Sequence, residues 1–205
     1  DTDRSRGLGD VYKRQEEIRI LDIGTGPGFF PVILAEAGYH VDAVDYTEGM
    51  LEKAKENAGD LCRNIRFLRM DAQKLDFEDN TFDVVISRNL TWNLEHPDVA
   101  YREWVRVLKV GGRLLNFDAN WYGYLYEEEQ RKAYENDRKN VENNSLDDHY
   151  LCTDIERMER IALQVPLSKI SRPQWDVKTL REAGLLGIRT DTETVSYTHL
   201  TLPTK

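Results

Sequence analysis

Cysteine is scarce in this chain. Cys62 and Cys152 stand far apart, with no short Cys pair and no histidine cluster beside them. That excludes a disulfide framework and a thiolate metal centre, and fits two unpaired thiols in a reducing cytosol. Long apolar runs are also missing. None approaches the roughly 18 residues that a membrane helix needs, and the first residues hold no apolar segment of the signal-peptide kind. Basic charge is in deficit, with 28 Lys and Arg against 37 Asp and Glu, a net −9. A sequence-independent grip on nucleic acid needs clustered cations, so no nucleic-acid partner is expected.

What is present reads as one domain. The 205 residues are 40% hydrophobic and 32% charged, enough for one sizeable core. The two ends differ from the rest. DTDRSRGLGDVYKRQ (1–15) and SYTHLTLPTK (196–205) lack helical or strand periodicity. They are expected to be either foreign linker sequence or disordered tails, leaving residues 16–195 as the domain.

Within it, strands and helices alternate. Ile18 to Ile23 is a short apolar run ending in glycines, and Phe29 to Ala37 follows as a helix closed by Gly38. His40 to Val44 is a second strand ending at Asp45, after which Thr47 caps a helix to about Ala58. Ile65 to Met70 and Phe82 to Ser87 are strands three and four. Pro97 opens a helix through Leu108, with Tyr101, Trp104, Val105 and Leu108 on one face, and Gly111-Gly112 turns into strand five, Arg113 to Phe117. This alternation predicts an α/β fold: a Rossmann-like, doubly wound, mostly parallel sheet with helices on both faces. Residues 120–172 then read as a helical elaboration or lid. It holds a charged helix from Tyr126 to Glu142 and a helix opened by a Thr153/Glu156 capping box and running to about Gln164. A short helix capped by Asp176 ends near Gly184, and Gly187 to Val195 is a candidate sixth strand.

The segment Asp22-Ile23-Gly24-Thr25-Gly26-Pro27-Gly28 carries the most information. Glycines between a strand and a helix let a ligand approach the backbone, and the helix N-terminus offers unpaired N–H groups. A dinucleotide fingerprint needs G-x-G-x-x-G and hence glycine at position 29, which is Phe29. The observed D-x-G-x-G-x-G resembles the first motif of class I S-adenosylmethionine (SAM)-dependent methyltransferases. An acid about 20 positions on should end strand two and bind ribose hydroxyls, and Asp45 stands there. The resemblance runs from about Ile18 to Phe117 and includes VDYTEGMLEKAKENA and RVLKVGGRLL; the family usually has proline at the Val110 position.

The resemblance implies SAM as cofactor, methyl transfer as reaction and a small molecule as acceptor. It further implies that Asp22 and Gly24 lie near the methionyl end of SAM, that the Asp71-Ala72 pair faces the adenine, and that Met50 packs on the adenine or belongs to the helix core. The full cofactor set expected is Asp22, Gly24, Thr25, Gly26, Gly28, Asp45, Tyr46, Met50, Asp71, Ala72 and Arg88.

Methyl transfer from a sulfonium needs alignment first and a base only when the acceptor carries a proton, so no residue type is obligatory. The N/D-P-P-Y/F motif of adenine and glutamine amino-group methyltransferases is absent. Weak candidates after strand four are Asn89, Trp92, Asn93 and His96, the last read first as a helix N-cap or surface residue because it precedes Pro97. Asp118 begins an aromatic stretch with Trp121, Tyr122 and Tyr124 after strand five, and His149 lies in the elaboration. Two other functions fit the pattern less well: a nicotinamide-dependent oxidoreductase, and a truncated or non-catalytic SAM-binding chain. An open SAM cleft and an incomplete sheet edge are expected.

Overall fold

The computed structural model describes residues 17–144 and 154–192. The leader 1–15, the tail 196–205, Thr153, His149 and Tyr150 lie outside the described residues. The elements that frame the ligand edge are β1 (Arg19–Ile23), α1 (Phe29–Glu36), β2 (His40–Asp45), α2 (Glu48–Ala58), β3 (Ile65–Arg69), β4 (Phe82–Arg88), α3 (Pro97–Val107) and β5 (Leu108–Phe117). The elaboration supplies α4 (Glu128–Asn144) and α5 (Ile155–Ala162), and α6 (Gln174–Glu182) follows.

The five strands are parallel in the order β3-β2-β1-β4-β5. Strand order reverses between β1 and β4, and a crevice opens there at the strands' carboxyl ends. Both sheet faces are covered, which is why the central strands read as continuous apolar runs. Leu21, Ile23 and Val85 pack with Tyr101, Trp104 and Val107 of α3 and Leu180 of α6. On the other face Ala43 and Ile65 pack with Ala35 and Ala58, and Ile20, Val41 and Ile86 pack with Phe30 and Leu34.

Trp104 is fully buried, donates from Nε1 to the Ala72 carbonyl at 2.9 Å and meets Tyr101 edge-on. A buried ring of this size contributes roughly 3 kcal/mol, so it fixes the turn after β3 against α3.

Several local expectations are corrected by tertiary partners. The helix after Pro97 stops at Val107, because Leu108 already pairs with Phe82. β5 therefore includes Gly111-Gly112 as an irregularity before register resumes at Val84–Arg113. A Cβ on Gly112 would stand 2.9 Å from the Asp83 carbonyl, so the close approach requires glycine. Thr47 occupies the N-cap of α2, but its side chain makes no capping bond. Asp154 rather than Thr153 caps α5, accepting from Arg157 N. Asp176 caps nothing: it is buried in the first turn of α6, facing Tyr101 and Arg172. Residues 187–192 of the expected sixth strand are not in strand pairing, although Ile188 packs on the core.

Candidate functional site

The glycine loop is shaped by the chain's own backbone. Gly24 N and Thr25 N both donate to the Val44 carbonyl, at 2.9 and 3.0 Å, tying the loop to the end of β2. Gly24, Gly26 and Gly28 all have positive φ, which disfavours side chains. Their surroundings differ. A Cβ on Gly28 would meet Ala54 at 3.1 Å, so this glycine lets α1 lie against α2. A Cβ on Gly26 would meet nothing within 4 Å, so its backbone faces open space.

That space is a cleft of about 860 Å³ lined by the ends of β1, β2, β3 and β4. It brings together Asp22, Gly24, Thr25, Gly26, Asp45, Tyr46, Met50, Asp71, Ala72 and Arg88. Gly28 of the expected set does not line it, and its role is the helix contact just described. Met50 is 46% exposed at the cleft wall, which removes the helix-core reading. Tyr46 is more exposed still, beside the Arg69 guanidinium.

The acids are distributed along one side. Asp45 accepts from Gly26 N at 2.9 Å through one oxygen and from Thr47 N at 2.8 Å through the other. Asp71 accepts from Gln73 N at 2.8 Å, and the Gln73 carboxamide oxygen takes His96 N at 2.8 Å. Asp22 is only 2% exposed. Burial, reinforced by the nearby charge of Asp45 and opposed by the Thr25 hydroxyl, pushes its pKa up to about 7. The Thr25 hydroxyl stands near the Asp22 carboxyl, but neither Thr25 Oγ1 nor Asp22 Oδ2, both buried, completes a well-formed hydrogen bond among the described residues. Buried orphan polar atoms are costly and mark a place for a complementary group. A cationic ammonium or sulfonium beside Asp22, and a ribose beside Asp45, match this donor and acceptor set, so the residues present fit SAM.

The candidates after β4 separate. Asn89 and Asn93 line the cleft. Trp92 does not: its ring meets Tyr122 at 5.3 Å and its Nε1 donates to the Asn89 carbonyl. His96 is exposed beside Glu95, away from the cleft lining. Asp118 is corrected most firmly. Its carboxylate is buried, accepts from the Thr91 hydroxyl and Trp92 N, and pairs with Arg172 at 3.2 Å. Burial alone would lower the Arg172 pKa, but its bond to Asp176 and the charges of Asp118 and Asp176 carry it upward. An acid held this way is a structural anchor and cannot serve as a free base.

Sequence reading missed Phe29, Phe30, Gln73, Leu90, Leu94 and Glu95 on the cleft wall. Gln73 carried a signal, since a residue two after Asp71 often closes an Asx turn. Leu90, Leu94 and Glu95 lie in the loop after strand four that sequence places beside the methyl group, and Phe29 and Phe30 carried no signal as wall residues.

Residues 21–116 match the family described as Methyltransferase domain. A demethylmenaquinone methyltransferase of Clavibacter sepedonicus is 41% identical over 98 residues, covering 47% of this chain and 39% of that protein. A ubiquinone/menaquinone biosynthesis C-methyltransferase UbiE of Azotobacter vinelandii is 38% identical over 125 residues, covering 54% and 49%. The chain thus spans less than half the length of these curated relatives. Among solved structures, an S-adenosylmethionine-dependent methyltransferase of Mesorhizobium loti aligns at TM-score 0.47 and 28% identity, over 52% of this chain and 50% of that one. The segment similar to the Methyltransferase domain family thus carries the D-x-G-x-G-x-G loop, the strand-end acids Asp45 and Asp71 and much of the cleft wall.

Proposed function

We propose that this chain transfers a methyl group from SAM to a small-molecule acceptor. The observation that carries the reading is the buried Asp22 carboxyl, whose Oδ2 completes no hydrogen bond among the described residues, in the cleft that the open backbone of Gly26, Asp45 and Asp71 also line. SAM, when bound, supplies a methyl carbon whose bond to sulfur breaks with its electron pair going to sulfur as the acceptor's lone pair forms the new bond.

The chain's own task is placement. Asp22 offers a negative charge to the cationic methionyl end, and Asp45 has lone pairs for ribose hydroxyls. Asp71 and the Ala72 N–H would hold the adenine, and Met50 and Tyr46 would wall it. Leu90, Leu94, Phe29 and Phe30 line the same cleft with apolar surface, which limits water near the reacting atoms. The described residues of the elaboration, 120–144 and 154–172, act in this reading as a lid over the acceptor end, braced by the stacked Tyr124 and Tyr134 and by the Tyr124 bond to Glu159. The reading places the chain in the cytoplasm, where Cys62 persists as a free thiol. No described helix is long and apolar enough to cross a membrane.

Calorimetric titration of the chain with SAM, S-adenosylhomocysteine and NAD, repeated on Asp45→Ala and Gly26→Val, tests the proposal. Saturable binding of the first two alone, lost in both variants, is expected. Binding of NAD in their place would overturn it.

A further inference from the structure

Arg88 differs from exposed arginines such as Arg63, Arg113 and Arg181, which also lack an acid partner among the described residues, in being partly buried. It ends β4, and its guanidinium lies over the Phe29 ring at 4.6 Å from the centroid. Yet no carboxylate, hydroxyl or carbonyl accepts from it among the described residues. Arg66, Arg106 and Arg172 by contrast are each matched to acids. Arg88 is also the one cationic side chain on a cleft wall that carries Asp22, Asp45, Asp71 and Glu95.

Its neighbours share its state. The Asn89 backbone is fixed at both ends, its N–H donating to the Phe117 carbonyl and its carbonyl accepting from Trp92 Nε1. Its φ of 53° is the left-handed conformation that asparagine tolerates. The Asn89 and Asn93 carboxamides both line the cleft, and neither has a partner among the described residues. Three side chains with free N–H donors thus border the β4 end of the cleft, where Glu95 also stands, while Asp22, Asp45 and Asp71 border β1, β2 and β3.

We propose that Arg88, aided by Asn89 and Asn93, is the receptor for a carboxylate. A planar guanidinium matches a carboxylate through two parallel N–H···O bonds. One cation balances one negative charge. A phosphate would bring two to a cleft that already holds four acids. The apolar surface of Phe29, Phe30 and Leu90 beside the donors suits a carboxylate on an apolar or aromatic body. That carboxylate belongs either to the acceptor, an arm that rests on the methyltransferase reading, or to the methionyl end of SAM itself.

Calorimetry on the full chain separates the sources. Wild type, Arg88→Gln and Arg88→Lys are titrated with SAM and decarboxylated SAM. They are then titrated with benzoate and its neutral analogue benzamide, with and without saturating S-adenosylhomocysteine. If the acceptor supplies the group, wild type prefers benzoate to benzamide by about tenfold or more, and Arg88→Gln loses that preference while holding SAM normally. If SAM supplies it, Arg88→Gln weakens SAM by about ten- to a hundredfold and leaves decarboxylated SAM unchanged. Arg88→Lys, which keeps the charge but not the fork, retains part of either effect and serves if the glutamine variant does not fold. SAM and benzoate binding unchanged by both substitutions would overturn the proposal. Failure of wild type to bind SAM would strike the methyltransferase reading, and the benzoate preference of the unliganded chain would still decide the role of Arg88.

Discussion

Arg172 and Asp118 pair at 3.2 Å with side chains only 7% and 1% exposed, although one precedes α6 and the other follows β5. Arg172 also holds Asp176 at 2.5 Å, and Asp176 takes the Tyr101 hydroxyl at 2.5 Å. One buried cation therefore serves two buried carboxylates. Removing it leaves both uncompensated, whereas removing Asp118 leaves Arg172 still paired. Arg172→Met is expected to lose about 3–5 kcal/mol of stability. Asp118→Asn is expected to lose less, about 1–3 kcal/mol, from weakened bonds to Thr91 and Trp92. Urea denaturation of the two variants checks the order, and a larger loss in Asp118→Asn would contradict it.

The glycines of the loop are expected to fail in different ways. Gly26→Ala meets open space and carries only the strain of positive φ, roughly 1–2 kcal/mol, but its methyl group stands where the cofactor approaches. Gly28→Ala pushes against Ala54 and loosens α1 from α2. Melting temperature should fall further for Gly28→Ala, and SAM affinity further for Gly26→Ala. The two measurements moving in parallel would sink this division.

Asp22 makes stability depend on pH. Its folded pKa, about 7, lies above the ordinary 3.8, so between those values the folded chain holds a proton that the unfolded chain has released. Its contribution to stability is full below the lower value and declines as pH rises toward 7, by at most roughly 1.4 kcal/mol per pH unit. Asp22→Asn is expected to flatten that slope in chemical denaturation. A cationic ligand favours the carboxylate form, so SAM should bind more tightly as pH rises through 7, with proton release below it. Calorimetry in buffers of different ionisation heat reads that proton, and its persistence in Asp22→Asn would refute the assignment.

Trp104→Phe keeps most of the apolar volume but leaves the Ala72 carbonyl without its donor. A loss of about 1–3 kcal/mol is expected. Because Ala72 adjoins Asp71 on the cleft wall, SAM affinity should weaken too, measured by the same titration at a temperature where the variant is folded. Unaltered affinity would separate the core role of Trp104 from the site.

The cofactor side of the cleft was legible because its determinants are local. Asp22 through Gly28 are contiguous, and Asp45 and Asp71 end strands whose apolar runs are plain. Asp118 and Asp176 were misread for the opposite reason. Each sits where a local rule assigns a site acid or a helix cap, and each is claimed by Arg172 from a distant part of the chain. The Gly111-Gly112 pair likewise looked like a turn before a strand, but Leu108 pairs with Phe82 ahead of it. Arg88 was legible as a site residue but not as an unpaired one, since pairing is decided by what else reaches the end of β4.

Asp45 joins Gly26 N on one side to Thr47 N on the other, so the chain's own bonds close the glycine loop and the start of α2 into one unit. A ligand entering there finds a mould already set and gives up little chain disorder in doing so. Capture should then be limited by diffusion into the cleft more than by loop rearrangement, and loss of the Asp45 carboxylate should slow entry as well as hasten escape.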